Sequence, residues 1–172
     1  MRVQVAALAL GMAAVSAAHG QQAQGDRRTE QMLRQLFPAA AAYSARRGSP
    51  PHYEAYAAAT ASGPPVGIAV WTTDLDPLER GYDGPIKILV GLDMRGRLAG
   101  VIVADHHEPY GYFSVDLPAF AAGFKGKSVR DPFVVGQDVD AISRATLTVT
   151  SATRAIRNSA RRAATALIPP SR

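Results

Sequence analysis

A chain of 172 residues, 47% hydrophobic and 19% charged, is long enough to bury one core and too short for two ordinary domains. It contains no cysteine, which excludes disulfides, thiolate metal ligands, iron–sulfur clusters and thiol catalysis. The formal charge of +5 is moderate and its arginines are scattered, so no nucleic-acid-binding face is marked and no such partner is expected.

Residues 1–20 read as a secretory signal. Arg2 gives a minimal positive start, Val3 to Ala18 form an apolar run, and Ala18 and Gly20 suit a small-residue cleavage site followed by polar Gln21 and Gln22. Cleavage after Gly20 is expected. The run is short for a membrane span and is weakened by Gly11 and Ser16; membrane contact would come only through partners or an uncleaved signal.

Residues 26–37 carry Met32, Leu33, Leu36 and Phe37 at helical spacing, and Pro38 stops the pattern. The alanines from Ala39 to Ala45 are able to extend that helix, until Arg46 to Pro51 form a loop. Three strand-like runs follow, Tyr53–Ala58, Val66–Thr73 and Ile86–Leu92, each bounded by Gly or Pro. The strongest local pattern is a hairpin in which Pro85–Asp93 and Arg97–Ala104 flank Met94, Arg95 and Gly96. Both of its strands are almost continuously apolar, which predicts burial on two faces. Asp116 is expected to cap a short helix with Pro118 in its first turn and Phe120, Ala121 and Phe124 on one side, ending at Gly126. From Thr148 onward Val149, Ala152, Ile156, Ala160, Ala163 and Leu167 recur at helical spacing, with Arg154, Arg157, Arg161 and Arg162 between them. The arginines are expected to form a solvated face. These elements define an α+β fold: a small antiparallel or mixed sheet with a central hairpin, flanking short helices and a C-terminal amphipathic helix.

The chemistry concentrates before that last helix, where Asp140, Ser143, Thr146, Thr148, Thr150 and Ser151 gather hydroxyls around one carboxylate. Such residues serve as helix caps. The same place also suits a phosphate, because free amides and the positive end of the helix dipole attract anions. Elsewhere, His106 and His107 are neighbours on an extended segment and point to opposite faces, so no metal site is expected. No serine lies in a nucleophile-elbow context, no histidine shows an evident acid partner, and no paired carboxylates are visible.

The segment Asp140, Ser143-Arg144-Ala145-Thr146 and Thr148 resembles the flavin-attachment motif of FMN-binding domains. These occur in the Rnf and sodium-translocating quinone reductase complexes and in NosR-type membrane proteins. The resemblance extends upstream and is closest to the NosR type: Gly81 to Asp93 is similar to that family's paired strands, His106-His107-Glu108-Pro109 to the turn after them, and Phe124 to Lys127 to its short helix exit. It covers roughly residues 66–165, in order. One position departs from the pattern, since Arg144 stands where the family usually has Gly.

The resemblance implies FMN as cofactor, joined through its phosphate to Thr146 by a magnesium-dependent flavin transferase that uses FAD. Ser143, Arg144, Ala145, Asp140 and Thr148 would surround the attachment point, with Gly84, His107, Glu108 and Pro109 near the cofactor. Tyr110, Tyr112 and Phe113 either pack on the flavin ring or belong to the core. The implied organisation is a signal over 1–20, an N-terminal helix and linker over 21–50, the FMN-binding domain over 51–168 and a tail over 169–172. The implied role is an exported, periplasmic electron carrier, the substrate of the transferase rather than itself an enzyme, passing electrons between a membrane-bound or periplasmic redox protein and another acceptor. Two other readings remain open: a flavin-free binding or redox-sensing module of the same fold, and the electron-input component of an exported reductase.

Overall fold

The computed structural model describes residues 24–142 and 144–170; the signal-like segment 1–20 lies outside them. The chain divides into two compact units, Met1–Met32 and Leu33–Arg172, and the second carries the sheet. Residues 24–36 are helical (α1), close to the expected 26–37, and proline at position 38 can donate no further helical hydrogen bond.

The helix does not resume in the alanines. Ala42–Tyr43 (β1) instead pairs antiparallel with Tyr53–Tyr56 (β2), Ala42 opposite Tyr56 and Tyr43 opposite Ala55. Renucleating a helix after Pro38 costs more than joining a strand already in place. Gly67–Trp71 (β3), Lys87–Asp93 (β4) and Leu98–Asp105 (β5) continue the sheet. All five strands are antiparallel in the order β1-β2-β3-β4-β5. The predicted hairpin is β4–β5, and Gly96 takes φ +75° in its turn, a conformation that favours glycine. A single helical turn, Thr72–Leu75 (α2), follows β3 where the sequence suggested more strand. Thr72 accounts for the change: its buried hydroxyl donates to the Ile86 carbonyl at 2.9 Å and accepts from the Ile88 amide at 3.0 Å.

The sheet is covered on both faces, as its apolar strands require. One face presents small residues: Gly67, Gly91 and Gly100 lie on adjacent strands, and the buried Leu36 and Phe37 fill the space they leave. The other face presents Ile68, Val70, Ile88, Val90, Leu92 and Val101 to the long helix Thr146–Leu167 (α4), which answers with Val149, Ala152, Ile156, Ala160 and Ala163. The short helix Pro118–Ala122 (α3) adds Phe120, which meets Phe124 at 5.1 Å between ring centroids; Phe124 in turn stacks on Phe133 at 6.1 Å. Asp116 does not cap α3, whose N-cap is Leu117; its carboxylate is engaged by a histidine, described below.

The arginines of α4 lie on the solvent side of the helix, as expected, with Arg161 and Arg162 exposed and Arg154 and Arg157 half-buried, but most of them are also tied to neighbouring loops. Arg154 grips the Glu79 carboxylate with contacts at 2.8 and 3.2 Å. Arg161 donates to the carbonyls of Val129 and Asp131, both at 2.9 Å, and Arg162 donates to the Leu75 carbonyl. Asn158 adds a bond to Asp76 at 2.8 Å. The helical spacing correctly placed these side chains off the core face. What it could not show is that the loops after β3 and α3 fold back to meet them.

A Cβ built on Gly67 would stand 2.3 Å from the Phe37 ring and 3.0 Å from the Leu92 carbonyl oxygen. Gly67→Ala is therefore expected to destabilise the protein by about 1–3 kcal/mol, read from the midpoint of urea unfolding.

Candidate functional site

The site is organised by one carboxylate. Glu108 follows β5, is 6% exposed, and accepts three hydrogen bonds from two distant parts of the chain. Its Oε2 accepts from the Tyr82 amide at 2.9 Å and from the Thr148 hydroxyl; its Oε1 accepts from the Asp83 amide at 2.9 Å. The turn Gly81–Gly84, closed by Gly81 N–H donating to the Gly84 carbonyl at 2.7 Å, is thereby tied to the first turn of α4. Gly81 is required for this approach, because a Cβ there would lie 2.3 Å from a Glu108 oxygen. Gly84 takes φ +126°, a conformation that side chains with a Cβ avoid.

Burial pushes the Glu108 carboxyl up. Against it, the Thr148 hydroxyl, the Asp83 and Tyr82 amides and the neighbouring His106 together hold it below its ordinary 4.5. His106 is fixed as well. Its Nδ1 accepts from the Glu108 amide at 3.1 Å, which leaves Nε2 to donate to Asp116 Oδ1 at 2.8 Å. Gly111 leaves room for this ring, since a Cβ there would lie 2.1 Å from it. The sequence showed no acid partner for a histidine; the structure supplies Asp116, ten residues along the chain and brought back by the turn Gly111–Phe113.

The entry to α4 is built differently from an ordinary capped helix. Its N-cap is Ala145, buried and without a capping group. Among the described residues, nothing accepts from the amides of Thr146, Leu147 and Thr148, the donors that every helix start leaves open. Thr146 is exposed at this first turn, whereas Thr148 is 3% exposed and turned inward onto Glu108. Arg144 is exposed with φ +67° and has no side-chain partner among the described residues. Ser143 lies outside the described residues.

The sequence candidates thus separate into two groups. Thr146, Arg144 and Asp140 face solvent at or just before the start of α4, with Ala145 buried beneath them. Thr148, Glu108 and Gly84 are buried and hold the surrounding segments together; His107 and Pro109 are exposed on either side of Glu108. Around this clamp the chain leaves several large apolar surfaces open: Tyr82 at 73%, Tyr110 at 50%, Tyr112 at 70% and Leu147 at 52% exposure. Phe113 is half buried, 5.5 Å from Tyr110 and 4.8 Å from Tyr112 between ring centroids. First-turn amides that meet no acceptor among the described residues, a cation and an exposed hydroxyl at the start of a 22-residue helix suit the phosphate of a nucleotide, and the open aromatics around the clamp suit a planar ring. The arrangement is that of a flavin-nucleotide-binding domain.

Residues 81–161 match the family model of the FMN-binding domain. The match begins at the glycine beside Glu108 and ends inside α4, so it spans the whole clamp. Similar proteins include components of the ion-translocating oxidoreductase complex from three bacteria. The one from Vibrio parahaemolyticus is 32% identical over 58% of this chain and 50% of its own length. That from Shewanella loihica is 37% identical over 42% and 34%, and that from Pseudomonas aeruginosa 35% identical over 47% and 42%. The matched segment of this chain, residues 81–161, is an FMN-binding domain, and FMN is that domain's cofactor. The chain spans about half or less of the length of these relatives. No helix among the described residues is long and apolar enough to cross a membrane.

Removing the clamp leaves three donors without their acceptor. Glu108→Ala is expected to cost about 2–4 kcal/mol in chemical unfolding. The pH dependence has a definite sign, because a carboxyl whose folded pKa is depressed stabilises the fold fully above its ordinary value. That contribution is lost as pH falls below 4.5 toward the lower folded value. Glu108→Gln should accordingly show a shallower loss of stability below that pH than the wild type. Equal slopes would mean that Glu108 does not carry it.

Proposed function

We propose that this chain is an exported flavoprotein domain that carries FMN through a phosphoester to Thr146. It would pass electrons between a membrane redox protein and another acceptor. The observation that carries this reading is the contrast between the two threonines: Thr146 is exposed in a first turn whose amides meet no acceptor among the described residues, while Thr148 is buried and committed to Glu108. Bound FMN supplies a chemistry that no side chain here has, since it exchanges electrons singly or in pairs.

The chain's own residues do the holding. The first-turn amides of α4 and the Arg144 guanidinium would receive the phosphate, with Asp140 and Ser143 orienting the acceptor segment toward a separate flavin transferase that uses FAD and magnesium. Tyr110 and Tyr112 would pack against the ring, and the Gly81–Gly84 turn and His107 would border it. Glu108 would hold the frame.

Attachment by a bond also fits export. A chain threaded unfolded through a membrane carries no folded-in cofactor, and free FMN outside is dilute. A tether keeps the local flavin concentration high. The motivation for export is the signal-like pattern of residues 1–20. That for electron transfer is the FMN-binding domain together with relatives named as parts of an oxidoreductase complex.

Arg144 supports a second reading, a flavin-free module of the same fold. A side chain at φ +67° strains the backbone by about 1–2 kcal/mol, and its bulk stands beside the acceptor hydroxyl.

Both readings are tested by co-expressing the full chain with a flavin transferase and viewing flavin fluorescence on a denaturing gel. Wild type is expected to fluoresce and Thr146→Ala to be dark; a Thr146→Ala band as bright as wild type would move the attachment elsewhere. A second comparison concerns Arg144→Gly, which should raise stability by about 1 kcal/mol in thermal unfolding. If wild type stays dark while Arg144→Gly fluoresces, the flavin-free reading holds for the natural chain.

A further inference from the structure

We propose that the cleft between the β4–β5 turn and the C-terminal end of α4 is a docking site for an acidic segment of a partner protein. The cleft encloses about 560 Å³. It is lined by the apolar side chains of Met94, Val129 and Ile168 together with Arg95, Arg97 and Arg130. All three arginines are exposed. Arg97 is fixed by donating to the Gly126 carbonyl at 2.9 Å, whereas Arg95 and Arg130 have no side-chain partner among the described residues.

The carboxylates nearby are already occupied. Asp93 accepts from the amides of Arg95 and Arg97 at 2.8 and 2.9 Å, and Asp131 accepts from the Ser128 amide at 2.9 Å. Both shape the turns that present the arginines by bonding backbone amides, and neither pairs with a guanidinium group. The cleft therefore combines apolar side chains with three exposed guanidinium groups, none of which is paired with a carboxylate among the described residues. Two carboxylates bracketing one apolar side chain would satisfy it, each reaching a guanidinium while the side chain packs on Met94, Val129 and Ile168.

A membrane surface fits less well. None of the exposed large apolar side chains among the described residues lines this cleft, so nothing here would enter a bilayer. The position also matters: α4 runs for 22 residues, about 33 Å at helical rise, between Thr146 and this cleft. A partner held here leaves the exposed threonine open. The proposal does not depend on flavin being attached.

The test uses the full-length chain and a short fluorescent peptide of glutamates and leucines, with a lysine-for-glutamate peptide as control. The acidic peptide should bind saturably at low salt, weaken as salt rises, and shift the amide NMR signals of Val129, Ala164 and Ile168. The double variant Arg95→Glu/Arg130→Glu should weaken binding roughly tenfold or more, while Arg27→Glu/Arg46→Glu, an equal change of charge at exposed arginines elsewhere, should not. Equal losses in both double variants, or signals shifting elsewhere, would reduce the effect to overall charge and overturn the proposal. It would also be overturned if the chain ignores the peptide but binds phosphatidylglycerol vesicles through Arg95 and Arg130. Self-association abolished by the same variant, with no peptide binding, would be equally decisive against it.

Discussion

The buried Glu108 carboxylate is the constraint on which the site depends. A charge removed from water is costly unless hydrogen bonds replace its hydration, and here two backbone amides and one hydroxyl do so. Because those donors belong to the Gly81–Gly84 turn and to α4, the carboxylate can be satisfied only when both lie against the end of β5. His106 reinforces the arrangement by accepting the Glu108 amide while holding Asp116. Two glycines, at 81 and 111, are small because these side chains need the space.

That local clamp works only because the rest of the fold delivers its parts. The β4–β5 hairpin fixes where residue 108 emerges, and the apolar face of the sheet fixes the axis of α4 through Val149, Ala152 and Ile156. The polar edge of the helix is secured separately, by Arg154 on Glu79 and Asn158 on Asp76. With the helix immobilised along its length, the orientation of its first turn is set. Thr148 faces inward to Glu108 and Thr146, two residues earlier, faces solvent. A helical rotation of about 200° between positions two apart is the whole difference between a structural hydroxyl and an available one.

Features governed by local pattern were legible in the sequence. The hairpin turn at Met94 to Gly96, the period of α4 and the proline that ends α1 each involve residues within one element, and the structure places them as their patterns imply. The family resemblance likewise gathered the right segments in order. What pattern could not show were pairings across long separations: Glu108 with Thr148, forty residues apart, and Arg154 with Glu79, seventy-five apart. Asp116 illustrates the limit. Beside Pro118 it has the composition of a cap, yet the His106 ring competes for the same carboxylate and wins. The alanines at 39–45 failed for a related reason, because strand pairing with β2 outweighs helix propensity in so short a stretch.

Arg144 joins the fold to its chemistry, since a left-handed residue is needed to turn the chain into α4 and this sequence places a cation there. The most direct measurement is site localisation by fragmentation of the peptide that trypsin releases after Arg144, taken from flavin-loaded protein. The account predicts that the FMN mass resides on Thr146, with Thr148 unmodified. FMN on Thr148 would contradict it, because that hydroxyl could be reached only if the bond to Glu108 were broken.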